Sequence, residues 1–308
     1  MTAPFIRSAG GKRELCPQIL PLMPDPDAFD TYVEPFAGGA AVFYALWGEG
    51  RLDNKTVVLG DGDSDLITLY EAVRDDVIGL VREAGRLVQA AQKAKNAQKY
   101  YEEQRALWNK GGRYRTPGRH LFLRQACFNG LWRTNKDGGM NTPWRGEAPA
   151  PVDEAKLLRA MTALQGVELL DWDFRRYEAS DDFYVGEKTL VYLDPPYLGD
   201  KDDFTSYLPS GWSEADLRAL IELCVEWSKR GAYVVLSHSK SEVLDKLLDE
   251  LWGIRCTVHE VEARRSINSD GNGRGPVPEV VVIGKPSVDT GHVTRHDGLN
   301  HGEVARAE

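Results

Sequence analysis

In the stretch Lys188-Thr189-Leu190-Val191-Tyr192-Leu193-Asp194-Pro195-Pro196-Tyr197, the uncharged, largely apolar run 189–193 leads into a turn containing two consecutive prolines. A short apolar run bounded by a turn signal is what a strand buried on both faces requires, and such strands belong to parallel sheets covered by helices. The turn therefore follows the carboxyl end of a parallel strand, where open α/β sheets place their ligands. Two successive prolines fix two φ angles and remove two N–H donors, which leaves a stiff turn rich in carbonyl acceptors. Asp194 adds a carboxylate and Tyr197 a flat ring. An amino group on an extruded base needs acceptors and a stacking face, so this residue set suits an aminopurine or an aminopyrimidine.

Outward from that stretch, strand-like runs alternate with helical spacing. Upstream, TYVEPF (31–36) runs into a glycine pair and the helical AAVFYALW (40–47), and TVVLGD (56–61) is followed by DLITLYEAV (65–73), with Leu66, Leu69, Tyr70 and Val73 on one face. VELLDW (167–172) is the next strand. Downstream, a helix over 213–229 starts at the cap Ser213-x-x-Asp216, followed by AYVVLSH (232–238), a helix near 240–251, RCTVHEV (255–261) and VPEVVVIG (277–284). Strands separated by helices predict a doubly wound parallel sheet. Between about 76 and 164 the β signal is lost: helices are predicted up to Phe128, with a loop at 109–118, and the Gly-, Asn- and Pro-rich stretch 129–149 reads as a loop or hairpin. The expected organisation is an α/β core of residues 1–75 and 165–285, interrupted by a mainly helical insertion at 76–164. The polar tail 286–308, with His292, His296 and His301, is expected to be disordered.

At 308 residues and 42% hydrophobic, the chain can bury a large core. No run is long and apolar enough for a membrane span, and the opening residues lack the apolar segment of a signal peptide, so a soluble cytoplasmic protein is expected. Cys16, Cys127, Cys224 and Cys256 lie far apart and predict neither a disulfide framework nor a metal site. A net charge of −9 speaks against a polyanion partner, but the average conceals an asymmetry. Residues 93–145 hold twelve Lys and Arg against three acids, about +9, which leaves about −18 for the remainder. Tyr100, Tyr101, Trp108, Tyr114, Phe122, Phe128 and Trp132 are interleaved among those cations, and together they point to a polyanion-binding region.

The second chemical constellation is Glu34-Pro35-Phe36-Ala37-Gly38-Gly39-Ala40, where glycines let backbone approach a ligand at the mouth of the sheet. The dinucleotide fingerprint G-x-G-x-x-G does not fit it, because the glycines are adjacent and the acid precedes the turn, so a cofactor without a pyrophosphate is favoured. Asp61, at the end of its strand, stands where a carboxylate would bond a ribose hydroxyl, with Asp63 and Asp65 read as a helix cap and a surface charge.

These motifs, in this order from about Ala9 to Gly284, resemble the Dam-like DNA adenine methyltransferases, which use S-adenosyl-L-methionine. Ala9-Gly10-Gly11-Lys12 is similar to the family's N-terminal cofactor motif, EPFAGGA to its glycine motif and LGDGDSDLI (59–67) to its ribose-binding segment, which selects Asp61. Asp173-Phe174 is in the place of the pair beside the cofactor adenine. Phe128-Asn129-Gly130-Leu131-Trp132-Arg133 resembles a target-recognition stretch whose Asn and Arg touch DNA, and Asn135 and Lys136 continue it. FTSY (204–207) and the Gly-rich 272–275 match in kind. The chain departs from the family at Ser8, where an aromatic is usual, and at Phe128, where Tyr is frequent.

The resemblance implies a Rossmann-like methyltransferase sheet with an inserted, mainly helical target-recognition domain. It implies catalysis at Asp194, Pro195, Pro196 and Tyr197, and a cofactor held by Lys12, Glu34, Pro35, Phe36, Gly38, Asp61, Asp173, Phe174 and Asp194. Double-stranded DNA would be held by Phe128, Asn129, Arg133, Asn135 and Lys136. The reaction that the resemblance implies is methyl transfer to the exocyclic amine of a flipped adenine, with no metal. The partner expected is duplex DNA, and the chain is expected to act as a monomer; whether a cognate restriction endonuclease accompanies it is left open by the sequence. A cytosine amino-methylating enzyme would use a similar turn, and a non-catalytic DNA-binding module would account for the basic insertion but not for EPFAGGA with Asp61.

Overall fold

The computed structural model describes residues 3–7, 11–180, 183–198, 212–262 and 279–286. The strands are β1 (Thr31–Glu34), β2 (Thr56–Gly60), β3 (Glu168–Leu170), β4 (Thr189–Leu193), β5 (Tyr233–Ser239), β6 (Cys256–Val261) and β7 (Glu279–Gly284). They form one sheet in the order β3-β2-β1-β4-β5-β7-β6. The pairs from β3 through β5 are parallel, and β7 runs antiparallel to both β5 and β6. The helices are α1 (Cys16–Ile19), α2 (Ala41–Gly48), α3 (Ser64–Asp75), α4 (Val77–Lys93), α5 (Ala97–Asn109), α6 (Pro117–Ala126), α7 (Glu154–Leu164), α8 (Arg176–Ala179), α9 (Glu214–Lys229) and α10 (Glu242–Leu251). Among the described residues, no helix is long and apolar enough to cross a membrane.

Both faces of the sheet are covered, which is why Thr189–Leu193 carries no polar alternation: every residue of β4 is buried. Tyr32, Leu190, Tyr192 and Val235 point into the layer shared with α2, α3 and α7, while Val33, Val191, Leu193, Val234 and Leu236 point to α9 and α10. The predicted start of α9 is a capping box: Ser213 accepts from the Asp216 N–H and Asp216 accepts in return from the Ser213 N–H. Leu217, Leu220, Ile221, Cys224 and Trp227 form its buried face, each large side chain contributing about 1.5–3 kcal/mol of burial.

The segment between β2 and β3 is helical as expected, and its packing is divided. Val77, Leu80 and Ala84 of α4, Leu121 of α6 and Leu157, Ala160, Ala163 and Leu164 of α7 join the core of the sheet. Val88, Ala91, Tyr101, Trp108, Phe122, Leu123, Trp132 and Met140 form a second core beneath the loop that follows α6. Glu83 of α4 closes the N-terminus of α6, accepting from the Thr116 hydroxyl and the Gly118 N–H.

This packing corrects part of the reading of the basic segment. Tyr101, Trp108, Phe122 and Trp132 are core residues and offer no face to a nucleic acid. An aromatic recurring every three or four residues serves the buried side of a helix as readily as a stacking platform. Arg124 is also interior at 8% exposed: its Nε donates to Nε2 of His120 at 2.8 Å, and its guanidinium lies 4.9 Å from the Trp132 ring. Phe128, at 45% exposed, is the large aromatic of the segment that faces solvent.

Candidate active site

Chain connections lead outward from β1 to β2 and β3 on one side and from β4 to β5 on the other, so a topological switch lies between β1 and β4. Glu34 ends β1 and Asp194 directly follows β4, which places both carboxyls at that crevice. Asp194 is 23% exposed, and its Oδ1 lies 2.8 Å from Nζ of Lys12, itself only 3% exposed. The same ammonium donates to the Tyr197 hydroxyl at 2.5 Å and lies 3.6 Å from Oε2 of Glu279. Tyr197 in turn donates to Glu279 Oε2 at 3.2 Å, and its ring packs 5.0 Å from that of His238 at the end of β5. Burial raises the Asp194 carboxyl above the usual aspartate range, with Lys12 opposing the shift and Glu279 adding to it. Burial holds His238 down at about 4, so the imidazole is neutral; its Nδ1 bonds the Ser239 carbonyl at 2.8 Å.

The glycine turn after β1 is shaped by left-handed backbone. Gly38 has φ 48° and Ala40, the residue before α2, φ 50°. The glycine adopts that conformation without penalty, whereas the alanine is strained by about 1–2 kcal/mol. Asp61 ties the turn to β2: Oδ2 accepts from the Gly38 N–H at 2.9 Å and Oδ1 from the Asp63 N–H at 3.0 Å. Burial raises its pKa to about 6, with Asp63 adding to the shift. Asp63 caps α3, accepting from the N–H groups of Asp65 and Leu66. Asp65 is no simple surface charge, because it pairs with Arg115 of the inserted segment at 2.8 Å. Glu34 lies beneath the turn at 2% exposed, accepting from the Tyr32 hydroxyl at 2.7 Å and from the Phe43 N–H. Burial is the main reason its pKa rises to about 8, with Asp194 and Asp61 adding to it.

Phe36 and Phe174, from segments far apart in sequence, have ring centroids 5.6 Å apart. Trp212 lies 5.8 Å from the first and 5.5 Å from the second, completing an aromatic cluster beside the carboxyl ends of β1 and β3. The buried indole Nε1 of Trp212 has no partner among the described residues. Asp173 is exposed and bonded to Arg175, which stacks on Phe174 and also pairs with Asp216. Pro35 follows Glu34 in the same turn, and Pro195 and Pro196 separate Asp194 from Tyr197.

The segment predicted to touch DNA emerges from α6. Asn129 and Gly130 are both left-handed, with φ 54° and 70°, and turn the chain so that Phe128 stands exposed. The backbone then forms a hairpin bridged at Thr134 and Met140. Asn135 organises its tip, its Oδ1 accepting from the N–H groups of Asp137 and Gly139, and Lys136 is exposed beside it. Arg133 donates from Nε to Asn141 Oδ1 at 2.8 Å, which fixes its direction along the hairpin.

Glu279, Trp212 and His238 join the site without having been singled out in the sequence. A search of the carboxyl ends of strands misses Glu279, because β7 is reversed and brings its first residue to that edge. Trp212 carries no motif, and only the capping box beside it hints that its position is fixed. Ser8, Ala9 and Gly10, FTSY (204–207), the Gly-rich 272–275 and all of the tail beyond Pro286 lie outside the described residues.

Comparison with known proteins gives a family and relatives across nearly the whole chain. The family described as D12 class N6 adenine-specific DNA methyltransferase matches residues 8–267. The type II methyltransferase M.MjaIII of Methanocaldococcus jannaschii is 32% identical over 285 residues, covering 88% of this chain and 94% of the relative. The type II methyltransferase M1.LlaDCHI of Lactococcus lactis subsp. cremoris is 28% identical over 292 residues, covering 91% and 94%. The DNA adenine methylase of Escherichia coli K12 is 28% identical over 286 residues, covering 92% and 96%.

Proposed function

The chain belongs to the D12 class of N6 adenine-specific DNA methyltransferases and methylates adenine in DNA site-specifically; from that premise we propose that the transfer takes place at Asp194-Pro195-Pro196-Tyr197, with S-adenosyl-L-methionine as methyl donor. The observation that carries this reading is the Asp194 carboxylate at the switch crevice, bonded to Lys12 and flanked by the Tyr197 ring. The residues present fit the donor. Asp61, held at the end of β2 by two backbone N–H groups, is an acceptor for ribose hydroxyls, and Gly38 allows close approach of the methionine portion. Phe36, Phe174 and Trp212 supply a wall for the cofactor adenine, with the Trp212 N–H as a donor that has no partner among the described residues. Glu34 and Pro35 support the turn from beneath, and Asp173 borders the wall. When bound, the sulfonium offers a methyl group that a nucleophile can displace, leaving a neutral thioether.

An adenine amine is a poor nucleophile because its lone pair is delocalised into the ring. Acceptors at Asp194 and the proline turn orient the N–H bonds so that the lone pair points along the line of attack, with Tyr197 stacking the base. The amine becomes acidic only after transfer, and water then takes its proton, so Asp194 acts as an orienting acceptor rather than a strong base. In the same reading residues 1–75 and 165–285 form the catalytic part and 76–164 the target-recognition insertion, with duplex DNA as its partner. Phe128 wedges into the stack as the base leaves, while Asn129, Arg133, Asn135 and Lys136 face the groove and backbone.

The test is Asp194→Ala. Incorporation of labelled methyl groups into unmethylated plasmid DNA falls below about 1% of wild type, while DNA binding and the circular dichroism spectrum are retained. Near-normal incorporation by this variant would end the assignment.

A further inference from the structure

Lys12 sits between two carboxylates, 2.8 Å from Asp194 and 3.6 Å from Glu279, and it also bonds the tyrosine hydroxyl that donates to Glu279. We propose that Glu279 is a positioning residue of the methyl-transfer site: its carboxylate shares Lys12 and the Tyr197 hydroxyl with the turn, so that the cluster keeps one unneutralised negative charge where the target amine stands. The inference rests on the reading of Asp194 as the acceptor for that amine.

Lys12 paired with Asp194 alone would form a neutral couple, and an acceptor neutralised by a buried ammonium is a weak partner for an amine that is acquiring charge. Among the described residues, two carboxylates around one buried ammonium leave a charge of about −1 at partly buried positions, where electrostatic interactions are stronger than in water. In the transfer, the amine lone pair forms the N–C bond and the C–S bonding pair leaves on sulfur. Positive charge therefore moves from sulfur to nitrogen and is lost when the N–H proton passes to water. A fixed negative cluster beside the nitrogen stabilises that state more than the ground state, which is the condition for raising the rate. The hydroxyl link adds geometry: with its O–H on Glu279 and its ring against His238, Tyr197 is held at two points, as a stacking face requires. β7 supplies Glu279 because it enters the carboxyl edge of the sheet from the opposite direction, Glu279 lying beside Ser239 of β5.

Glu279→Gln separates charge from shape, since glutamine still accepts from Tyr197. Among the described residues, the groups facing Asp194 are Lys12 from the N-terminal segment, Glu279 from β7, Tyr197 of its own turn, Tyr192 of β4 and Glu34 of β1; of these, Glu279 pushes the Asp194 carboxyl upward. Removing its charge lowers the Asp194 midpoint, so the acid limb of the single-turnover rate on plasmid DNA moves to lower pH, while the plateau rate falls on the order of tenfold. A substrate-free readout accompanies it: the protonated-carboxyl infrared band that is absent from Asp194→Asn titrates at lower pH in Glu279→Gln. A side chain needed only for packing would lower thermal stability and leave both midpoints in place, and unmoved midpoints overturn the proposal. Glu279→Asp, which withdraws the charge from Lys12 by one methylene, gives midpoints between those of wild type and Gln. Should the Gln variant not fold, the Asp midpoints alone decide: below wild type they support the proposal, and at or above it they overturn it. Failure of the wild-type protein to methylate adenine would instead strike at the reading of the Asp194 site.

Discussion

Replacing Glu34 with Gln converts a buried ionisable group into its permanently neutral analogue, and the structure fixes how the two proteins diverge with pH. Glu34 is 2% exposed, and its pKa is raised from 4.5 to about 8. A carboxyl whose folded pKa lies above its unfolded value binds its proton more tightly in the native state. Its stabilising effect is therefore complete below about pH 4.5 and is lost as pH rises through about 8. A shift of about 3.5 units at ~1.4 kcal/mol per unit is on the order of 5 kcal/mol over the whole window. Between pH 5.5 and 7.5 the unfolded carboxyl is ionised and the folded one still mostly protonated, so wild type loses about 2.5 kcal/mol relative to the variant. Glutamine keeps an acceptor for the Tyr32 hydroxyl, so the two proteins are close in stability below about pH 4.5, and the variant is the more stable by about 1.4 kcal/mol at pH 5.5 and about 4 kcal/mol at pH 7.5. Asp61 and Asp194, also raised, add a slope of the same sign that is common to both proteins. Urea unfolding at pH 5.5, 6.5, 7.5 and 8.5, read as the difference in midpoint at constant m, measures this directly. Parallel curves for the two proteins across that range would refute the argument, since they would mean that Glu34 is ionised in the native state throughout.

Two further outcomes follow from the inserted segment. Arg133→Ala removes a side chain aimed along the recognition hairpin and relaxes discrimination among sites by about 1–3 kcal/mol per base pair read, with a smaller change in general affinity; a methylation-protection digest over several sequences checks it. Arg124→Ala takes a buried guanidinium from His120 and the face of Trp132, and costs on the order of 3 kcal/mol in urea unfolding.

The sheet and its order of elements were legible in the sequence, because burial on two faces erases polar alternation and leaves a signal as plain as Thr189–Leu193. Asp194 and the glycine turn were legible for a related reason: consecutive prolines and a left-handed Gly38 are required by the backbone itself, whatever packs around them. The role of the aromatics of the basic segment is not legible in the sequence, since their spacing fits a buried stripe as well as a stacking surface, and only the packing of α5 against α6 separates the two.

What the chain determined by itself is therefore local: which segments are strands, where the turns must lie, and that a carboxylate and a ring share a rigid turn. Tertiary structure decided the pairings made across long separations. It put Lys12 on Asp194, Phe36 on Phe174 and Asp65 on Arg115, and through the reversal of β7 it brought Glu279 to an edge where parallel strands present only their ends. Hydrophobic periodicity records which face of an element is buried, but not which element buries it, and the charges of this site depend on the second.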